Sequence, residues 1–568
     1  ANSYESKYAS ARLNDLAGKF QLAEQNYLAL AQAFPNSIEL KLMLAEFYEV
    51  SEQPHQVEQI LLSVVALDPN HPQAWYRLGK VAYLMGEFDK ALDRYFTRAL
   101  VIAKSLKNEA QQGDVLNAFG VVYEQLGDSE LAFDYYRQAL PIRRATGNLS
   151  GVATTMNNLA SVHLSVGEYS QAKQYLEQGL AVYQELGDAV GMSNIFNELG
   201  VLAEEQAFYR QALEYYRSSL NIRMDANNQM LQAESMNNVG FAYFMLLDPE
   251  HALVYWRQAE QMFQSIQFPI GIVRVQQSIG QLELAKGNWR NAFHIFQNSK
   301  RDAQALNSTE ERFVATSYLA RLSFLQGNFA ASLETLRGVY TEAKQNRDLR
   351  AMSEFGLWIA DWSLQIGDVT SAQAMLEEIR PIIDKSGSQD AKSFLSYLTA
   401  SGLGQFEWTV ASQVQEQDFG HSYIEIRRDI ALAKHKLQRG GQDIRAELMR
   451  LANLDYDLFQ FERLEVLELQ AVQAYFAKDW SGLKHHLRQA ELLMRKMGDP
   501  WRSFQFDRLR AQLAKHSGQN SQVYLDKAKA KLQTLLNNLP LEQSTSFIQR
   551  QTYFSLDDGI QDTNQHEQ

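Results

Sequence analysis

The chain contains 568 residues and not one cysteine. It can therefore form no disulfide, no cysteine-ligated zinc site, no iron–sulfur cluster and no thiol nucleophile. The absence of thiols favours an oxidising, extracytoplasmic compartment such as the bacterial periplasm. A bacterial cytosolic protein that happens to lack cysteine is the alternative.

Long apolar runs and an excess of positive charge are missing as well. No stretch approaches the roughly eighteen consecutive apolar residues that a membrane-spanning helix needs, and the N-terminal residues show no secretory-signal pattern. The formal net charge of −13 opposes a broad phosphate-binding surface, because nucleic-acid affinity depends on clustered Lys and Arg. We expect neither a membrane segment in this chain nor direct binding of nucleic acid.

Sequence motifs typical of enzymes are absent too. The chain has no phosphate-binding loop, dinucleotide-binding glycine motif, zinc-protease motif or nucleophile elbow. His485 and His486 are adjacent, but neighbouring residues of a helix point about 100° apart and rarely share a metal. Glu204–Glu205 and Asp557–Asp558 have no neighbouring base and are expected to be solvated charges. We therefore expect no enzymatic activity and no cofactor.

What the chain does contain is an internal repeat with a 40-residue period, visible in three series of small residues. The first series is Ala132, Ala172, Ala212, Ala252, Ala292 and Ala372, with Ser332 in the remaining place. The second series is Gly120, Ala160, Gly200, Gly240, Gly280, Ala320 and Ala360. The third series is Gly127, Gly167, Gly287, Gly327 and Gly367. A fixed period of this length indicates a helical repeat array.

Each series has a structural interpretation. The second series is expected where two antiparallel helices cross closely, and the glycines of the third series are expected to end the first helix in a left-handed conformation. Large apolar residues one helical turn after each alanine of the first series are expected to fill the core between helices. They are Tyr136, Leu176, Tyr216, Trp256, Phe296, Leu336 and Leu376.

Upstream of this array, a shorter segment carries a more specific pattern: Trp75, Leu78, Gly79, Gly86, Phe88, Ala91 and Tyr95. It resembles the tetratricopeptide repeat almost position by position. The resemblance implies an all-α fold, a right-handed superhelical solenoid of helix-turn-helix units. The first helices of such units line a concave face, and the second helices form the outer wall.

We predict four segments along the chain. They are residues 1–105 with units of the family's 34-residue type, residues 106–380 with the regular 40-residue units, residues 381–536 with divergent helical repeats, and residues 537–568 as a polar, acidic tail expected to be disordered. In the third segment, residues 424–437 and 470–497 have helical periodicity.

The first helices of the 40-residue units carry an amide side chain at one repeated position: Asn117, Asn157, Asn197, Asn237 and Gln277, with Asn158 and Asn238 beside two of them. Asparagine is a poor residue for a helix interior, and a buried unpaired amide costs about 1–3 kcal/mol. One partner that satisfies its donors and acceptor is an extended peptide backbone. The alternative is that these amides bond the preceding loop or the next helix.

The amide stripe resembles the asparagine ladders of kinesin light chain and of the Partner of Inscuteable family, whose repeats are also longer than the common tetratricopeptide unit. This resemblance implies a non-catalytic scaffold that binds an extended protein or peptide segment along the concave groove. Glu124 and Phe241 share that face, so the groove is mixed in character, which favours a mildly apolar peptide. The amide side chains, Glu124 and Phe241 are the candidate peptide-binding residues.

Arginines recur on the second helices of the units, at Arg137, Arg217, Arg257 and Arg337, with Arg143 and Arg223 beyond the first two. Long charged side chains usually extend from apolar surfaces into solvent, and we expect all six to be exposed.

The two ends of the chain suggest a second function. Tyr27 and Pro35 near the start, and Leu539, Pro540 and Phe547 near the end, are similar to the repeat regions of bacterial winged-helix regulators and membrane-bound Ser/Thr kinases. That resemblance implies a ligand-responsive sensor region of a bacterial signalling or transcription regulator, with an output domain expected before Ala1.

Overall fold

The computed structural model describes residues 20–50, 53–226, 228–402, 419–452, 457–539, 541–552 and 556. Within these ranges the regular elements are helices, and no residue lies in a strand. The predicted all-α fold is confirmed. The chain divides into two compact units, Ala1–Ile195 and Phe196–Gln568, which we call unit 1 and unit 2.

Unit 1 consists of antiparallel helices that each contact the next helix along the chain. The helices are α1 (Phe20–Ala33), α2 (Ile38–Val50), α3 (Pro54–Leu67), α4 (Pro72–Leu84), a π-helical segment Lys90–Phe96 that continues into α5 (Thr97–Ser105), α6 (Glu109–Gln125), α7 (Ser129–Ala145), α8 (Leu149–Ser165) and α9 (Tyr169–Leu186). The next helix, α10 (Ala189–Glu205), contains the division between the units.

Unit 2 continues the hairpins with α11 (Tyr209–Asp225), α12 (Gln229–Met245), α13 (Pro249–Ser265), α14 (Pro269–Ala285), α15 (Trp289–Ala305), α16 (Thr309–Leu325), α17 (Phe329–Gln345), α18 (Leu349–Ile366) and α19 (Val369–Ser386). Its C-terminal part consists of α20 (Gln389–Gly402), α21 (Phe419–Gln438), α22 (Arg445–Ala452), α23 (Gln460–Phe476), α24 (Trp480–Met497), α25 (Ser503–His516), α26 (Gln522–Asn537) and α27 (Ser544–Gln551). In the 40-residue units we call the first helix A (α6, α8, α10, α12, α14, α16 and α18) and the second helix B.

The ends of these helices are set by local signals in the sequence. Asp128 and Asn148 cap α7 and α8, because each side-chain oxygen accepts the backbone N–H three residues later. The glycines of the third series all have positive φ, as predicted. Ala207 and Leu247 adopt the same conformation at φ 59° and 62°, so the register continues through two loops that lack glycine.

The packing inside each hairpin explains the small residues of the A helices. A β-carbon on Gly120 would lie 2.5 Å from the Tyr136 ring, and one on Gly240 would lie 2.6 Å from Trp256. The aromatic ring occupies the space that a side chain would need. Glycine occurs opposite each aromatic residue and alanine opposite each leucine, in the pairs Gly120–Tyr136, Gly200–Tyr216, Gly240–Trp256, Gly280–Phe296, Ala160–Leu176, Ala320–Leu336 and Ala360–Leu376.

The C-terminal part of unit 2 packs against loops that join the A helix to the B helix within single 40-residue repeats of unit 2. Trp501 N–H donates to the Leu325 carbonyl at 3.0 Å, and Asn538 Nδ2 donates to the Gly327 carbonyl at 3.2 Å. At the next loop, Gly367 lies against Ser546. The predicted helical periodicity of residues 424–437 and 470–497 is confirmed by α21 and by the α23–α24 hairpin.

Part of the expected disordered tail is an ordered helix. In α27, Phe547 is fully buried and its ring centroid lies 5.5 Å from that of Phe329 and 5.9 Å from that of Trp501. The polar composition of the tail did not indicate this helix. A few apolar residues are enough to hold it in place, because distant parts of the chain supply the side chains that they pack against. Residues 557–568 lie outside the described residues, and the division into four segments stays a prediction.

Candidate peptide-binding surface

The repeated amide position is the ninth residue of α6, α8, α10, α12 and α14, so the sequence register places all five amides equivalently on A helices. Their hydrogen bonds differ. Some amides join neighbouring A helices, and others leave a buried oxygen without a partner.

In unit 1, the side chain of Asn117 joins α6 to α8. Asn117 is buried, and its Oδ1 accepts from Thr155 Oγ1 at 3.0 Å and from Asn158 Nδ2 at 3.4 Å. These bonds use the Asn117 oxygen between two helices of the array. This contact agrees with the alternative that the amides bond the next helix.

Two rungs of unit 2 are used in the same way. Asn238 Nδ2 donates to Asn197 Oδ1 at 2.9 Å, which joins α12 to α10. Gln277 is buried and its Nε2 donates to the Glu311 carbonyl in α16 at 2.7 Å. Asn197, Asn238 and Gln277 therefore stabilise contacts between successive A helices.

Asn157 and Asn237 differ from the other rungs. The Oδ1 atom of each is buried and accepts no hydrogen bond from any group that the structure describes. A buried acceptor without a donor costs about 1–3 kcal/mol, so each such oxygen requires an explanation. Asn157 lies in unit 1 and Asn237 in unit 2, so each unit contains one of these two unpaired amide oxygens.

The other two candidate residues lie on the same helices. Glu124 Oε2 accepts from Tyr136 Oη at 2.6 Å, and burial raises the pKa of this carboxyl group. Phe241 is half-buried against the hydrophobic core of α11 to α14. Both residues are part of the packed A helices, and neither extends freely into solvent.

Glu204 and Glu205 were expected to be solvated charges, and that prediction was wrong, because both are half-buried and burial raises the pKa of each. Glu204 accepts from Tyr216 Oη at 2.8 Å, in the way that Glu124 accepts from Tyr136. Burial raises the pKa of Glu204 to about 7, while Arg350 and the Tyr216 hydroxyl act in the opposite direction. The position in the last turn of the A helix places this carboxyl group against the core.

Two of the six arginines were predicted wrongly. Arg143 and Arg223 are 6% and 4% exposed, whereas Arg137, Arg217, Arg257 and Arg337 are exposed as expected. Arg143 donates to the Gly151 carbonyl at 2.9 Å, to Thr155 Oγ1 at 2.8 Å and to Asp114 at 2.8 Å. The last turn of a B helix faces the next A helix, and a guanidinium group there finds a carbonyl, a hydroxyl and a carboxylate.

The same contacts recur in unit 2, where Arg223 donates to the Leu231 carbonyl at 3.1 Å and to Ser235 Oγ at 2.8 Å. The sequence does carry a signal for these buried arginines, because they recur at every second repeat. Residue pairs that share this recurrence include Glu124 and Glu204, Tyr136 and Tyr216, and Arg143 and Arg223. The single-repeat register alone does not reveal this alternation between successive repeats.

Membrane spans and metal clusters are not found in the part of the chain that the structure describes. None of the helices within those ranges is long and apolar enough to cross a bilayer. Among the same residues, no group of three or more His, Asp or Glu side chains is arranged to hold a metal ion.

The repeat itself matches known sequence families. Residues 70–145 and residues 152–186 match sequence models of the tetratricopeptide repeat. No curated protein sequence matches the chain.

Several solved structures are similar to the chain. BtubC from P. vanneervenii has 20% identity and a TM-score of 0.31, over 43% of this chain and 93% of that protein. Aspartyl phosphate phosphatase F from Bacillus subtilis has 13% identity and a TM-score of 0.42, over 62% and 96%. The Rap conjugation gene regulator of plasmid pLS20, in complex with the Phr* peptide, has 12% identity and a TM-score of 0.44, over 61% and 96%.

The two repeat matches cover part of a longer series of hairpins. The buried small residues of the B helices, such as Ala132, Ala252 and Ala372, keep one register through α19. The sequence models show that the chain contains tetratricopeptide repeats.

Proposed function

We propose that the chain is a non-catalytic scaffold that binds an extended segment of a partner protein on its A helices. The observation that carries this proposal is the pair of buried, unpaired acceptors, Asn157 Oδ1 in unit 1 and Asn237 Oδ1 in unit 2. A backbone N–H of an extended peptide is a donor of the right kind, since it recognises an amide oxygen without any requirement on the peptide's side chains.

In this proposal, fewer asparagines contact the peptide than the sequence alone predicted. Asn117, Asn158, Asn197, Asn238 and Gln277 support the array through bonds between its own helices. Asn157 and Asn237 are the rungs proposed to contact the peptide. The surrounding residues, Glu124 in unit 1 and Phe241 in unit 2, add a partly buried carboxyl group and an aromatic ring, which suit a mildly apolar segment.

The test begins with a library of random 12-residue peptides displayed on phage and selected against the purified chain. Selected peptides are synthesised with a fluorophore, and their affinity is measured by anisotropy. We expect Asn157→Ala or Asn237→Ala to weaken binding by about tenfold, which corresponds to the loss of one hydrogen bond to a buried group.

Asn298→Ala is the matched control, because Asn298 is exposed on a B helix. Testing the two asparagines separately shows which unit binds the peptide. If selected peptides bind the wild type, the Asn157 variant and the Asn237 variant equally well, the A helices are not the binding surface.

A second candidate function is the ligand-responsive sensor region of a bacterial regulator. One observation favours it, a cavity of about 280 Å³ inside unit 2. This volume lies just below the range of roughly 300–1,000 Å³ that is typical of ligand pockets, so it suits only a small molecule.

A further inference from the structure

The cavity in unit 2 is formed where helices distant in the sequence meet. Its walls come from α18, α20, α21, α23 and α27 and from the turn before α25. The charged residues of the lining are Asp361, Arg427, Lys434, Glu465, Arg502 and Arg550, in addition to His435. Four cationic side chains and two carboxylates thus surround a small space in a chain whose formal net charge is −13.

Most of these charges are paired with one another. Arg427 contacts Asp361 at 3.0 Å, Lys434 contacts Glu465 at 2.6 Å, and Arg502 contacts Glu465 at 3.0 Å. Glu468, behind the wall, contacts Arg502 at 2.9 Å. Even with Glu468 included, three carboxylates face four cations, so one positive charge is left over.

Another carboxyl group near Arg427 does not cancel this excess. Glu462 lies outside the lining, and burial raises its pKa even though Arg427 and Arg321 act in the opposite direction. Arg321, a further cation outside the lining, acts on Glu462 together with Arg427, so this pair adds one carboxyl group and one cation to the count. Among the lining residues themselves, four cationic side chains face two carboxylates.

Arg550 is the remaining cation. Within the described residues it makes no hydrogen bond and no ion pair, although it lines the cavity from α27. Burial and the charge of Arg427 lower the pKa of the Arg550 guanidinium, while Tyr397 and Asp361 act in the opposite direction. The Asp361 carboxylate forms its ion pair with Arg427, and a guanidinium group retains its charge under all physiological conditions. Arg550 is therefore a charged group of the lining with no carboxylate in direct contact among the described residues.

The pKa of Lys434, which also lines the cavity, agrees with this excess of positive charge. Burial, and after it the charge of Arg502, lower the pKa of Lys434 to about 8, even though Glu465 lies beside it. For Glu465, burial acts to raise the pKa, but Lys434, Arg502 and Arg427 outweigh it and lower the value to about 2. The field inside the cavity therefore favours a negative charge.

We propose that this cavity binds a small molecule through a carboxylate or phosphate group, with Arg550 as its principal ligand. The planar fork of a guanidinium group matches the two oxygens of such an oxyanion, and charge-assisted hydrogen bonds are strong where water is partly excluded. The volume limits the ligand to a small metabolite. This inference names the ligand chemistry of the second candidate function, and it holds whether or not a peptide binds the A helices.

A bound anion would also connect distant parts of unit 2. Arg550 and Gln551 lie in α27, and Gln551 Nε2 already donates to the Gln365 carbonyl of α18 at 3.0 Å. An oxyanion held by Arg550 would lie between α27 and the other helices of the lining. Because the ligand binds only the folded state, it stabilises unit 2 in proportion to its concentration.

The binding experiment uses the full chain and three probes, inorganic phosphate, glycerol 3-phosphate and succinate, with sodium chloride as the control for ionic strength. Titration calorimetry and thermal unfolding are measured for each. We expect at least one probe to bind at a single saturable site and to raise the Tm. The probe that binds more tightly distinguishes a phosphate-bearing ligand from a dicarboxylate.

Variants test the role of Arg550. Arg550→Gln is expected to fold normally and to lose at least about tenfold in affinity for the probe that binds, as one charge-assisted bond is removed. The matched control is Arg445→Gln, since Arg445 is an exposed arginine whose side chain pairs with Asp443. If no probe saturates, or if Arg550→Gln binds as tightly as the wild type, the proposal is wrong.

Proton uptake offers a second measurement that a structural role for Arg550 would not affect. An anion beside Lys434 raises the pKa of that amine, so binding near pH 8 should draw a proton from solution. Calorimetry in two buffers of different ionisation enthalpy measures this uptake. Lys434→Arg should bind the probe without proton uptake. Uptake that persists in this variant would contradict the placement of the anion next to Lys434.

Failure of this proposal is distinguishable from failure of the peptide-binding function. The phage selection depends on Asn157 and Asn237, and the calorimetry depends on Arg550 and Lys434. A chain that binds peptides and no oxyanion, or the reverse, separates the two.

Discussion

Asn238 Nδ2 donates a hydrogen bond to Asn197 Oδ1 at 2.9 Å, and this bond joins two successive A helices of unit 2. The corresponding bond in unit 1 runs from Asn158 to Asn117 at 3.4 Å. In both cases the amide of the next A helix at the repeated position, Asn237 or Asn157, keeps an unpaired oxygen. The repeated asparagines look equivalent in the sequence, but they have two roles in the structure. Some bond neighbouring A helices to each other, and others keep an unpaired oxygen.

This division predicts different effects on stability for two chemically identical changes. Asn117→Ala removes the acceptor of Asn158 and one of the two acceptors of Thr155, and it should lower the free energy of unfolding by about 1–2 kcal/mol. Asn157→Ala removes an unpaired buried oxygen and should change it by less than about 0.5 kcal/mol or raise it. Urea denaturation of both variants measures the difference. Equal losses for the two would show that Asn157 also supports the fold.

The buried arginine of unit 1 should be essential for stability. Arg143→Leu removes the contacts to Gly151, Thr155 and Asp114 and should cost about 2–3 kcal/mol, since it leaves buried polar groups unpaired. Arg137→Leu lies on the exposed face of the same helix and is the control, with an expected change within about 0.5 kcal/mol. Thermal and urea unfolding of the two variants side by side provide the measurement. A loss for Arg143→Leu as small as that for Arg137→Leu would refute the role of the network.

The pairing of glycine with aromatic residues predicts a rescue. Gly240→Ala places a methyl group 2.6 Å from the Trp256 ring and should cost about 1–3 kcal/mol through overpacking. Trp256→Leu in the same chain reproduces the alanine–leucine pair found at Ala160 and Leu176 and should recover part of that loss.

A double-mutant cycle measures the coupling between Gly240 and Trp256. The control is Gly338→Ala, because no atom lies within 4 Å of the position where its β-carbon would be. Losses that add without coupling would show that ring size does not determine the small residue.

Glu204 should make the stability of unit 2 depend on pH. Burial raises its folded pKa from the usual value of 4.5 to about 7, so between these values the folded chain retains a proton that the unfolded chain has released. The contribution to the free energy of unfolding is complete below pH 4.5 and is lost as the pH rises to about 7. Arg350, Tyr216, Glu205 and Asp390 are the neighbouring groups that act on this carboxyl.

Glu204→Gln keeps an acceptor for Tyr216 and removes the titration. Relative to the wild type, this variant should gain on the order of 1–2 kcal/mol in the free energy of unfolding between pH 5 and pH 8, since solvent screens part of the effect at a half-buried group. Urea denaturation at the two pH values measures the gain. The matched control is Glu214→Gln, at an exposed position of the adjacent B helix, for which we expect no such change. A pH-independent difference for Glu204→Gln would mean that the carboxyl titrates normally.

Much of the array was predictable because its signals are local. The glycines with positive φ, the caps at Asp128 and Asn148, and the buried alanines such as Ala132 each act on neighbouring residues. The burial of Arg143 and Glu204 was missed, although their counterparts two repeats away, Arg223 and Glu124, were visible. A register that spans two repeats singles out both pairs.

The sequence by itself determined the all-α repeat, the register of its hairpins and the residue type at each crossing, because these depend on periodicity and on contacts within one hairpin. Only the tertiary structure decided which asparagines are unpaired, where α27 packs and where Arg550 lies. The bond from Gln551 to Gln365 joins residues 186 positions apart, and no spacing rule relates them. Such contacts arise when separate helices compete to bury their apolar faces, and that competition depends on the folded chain as a whole.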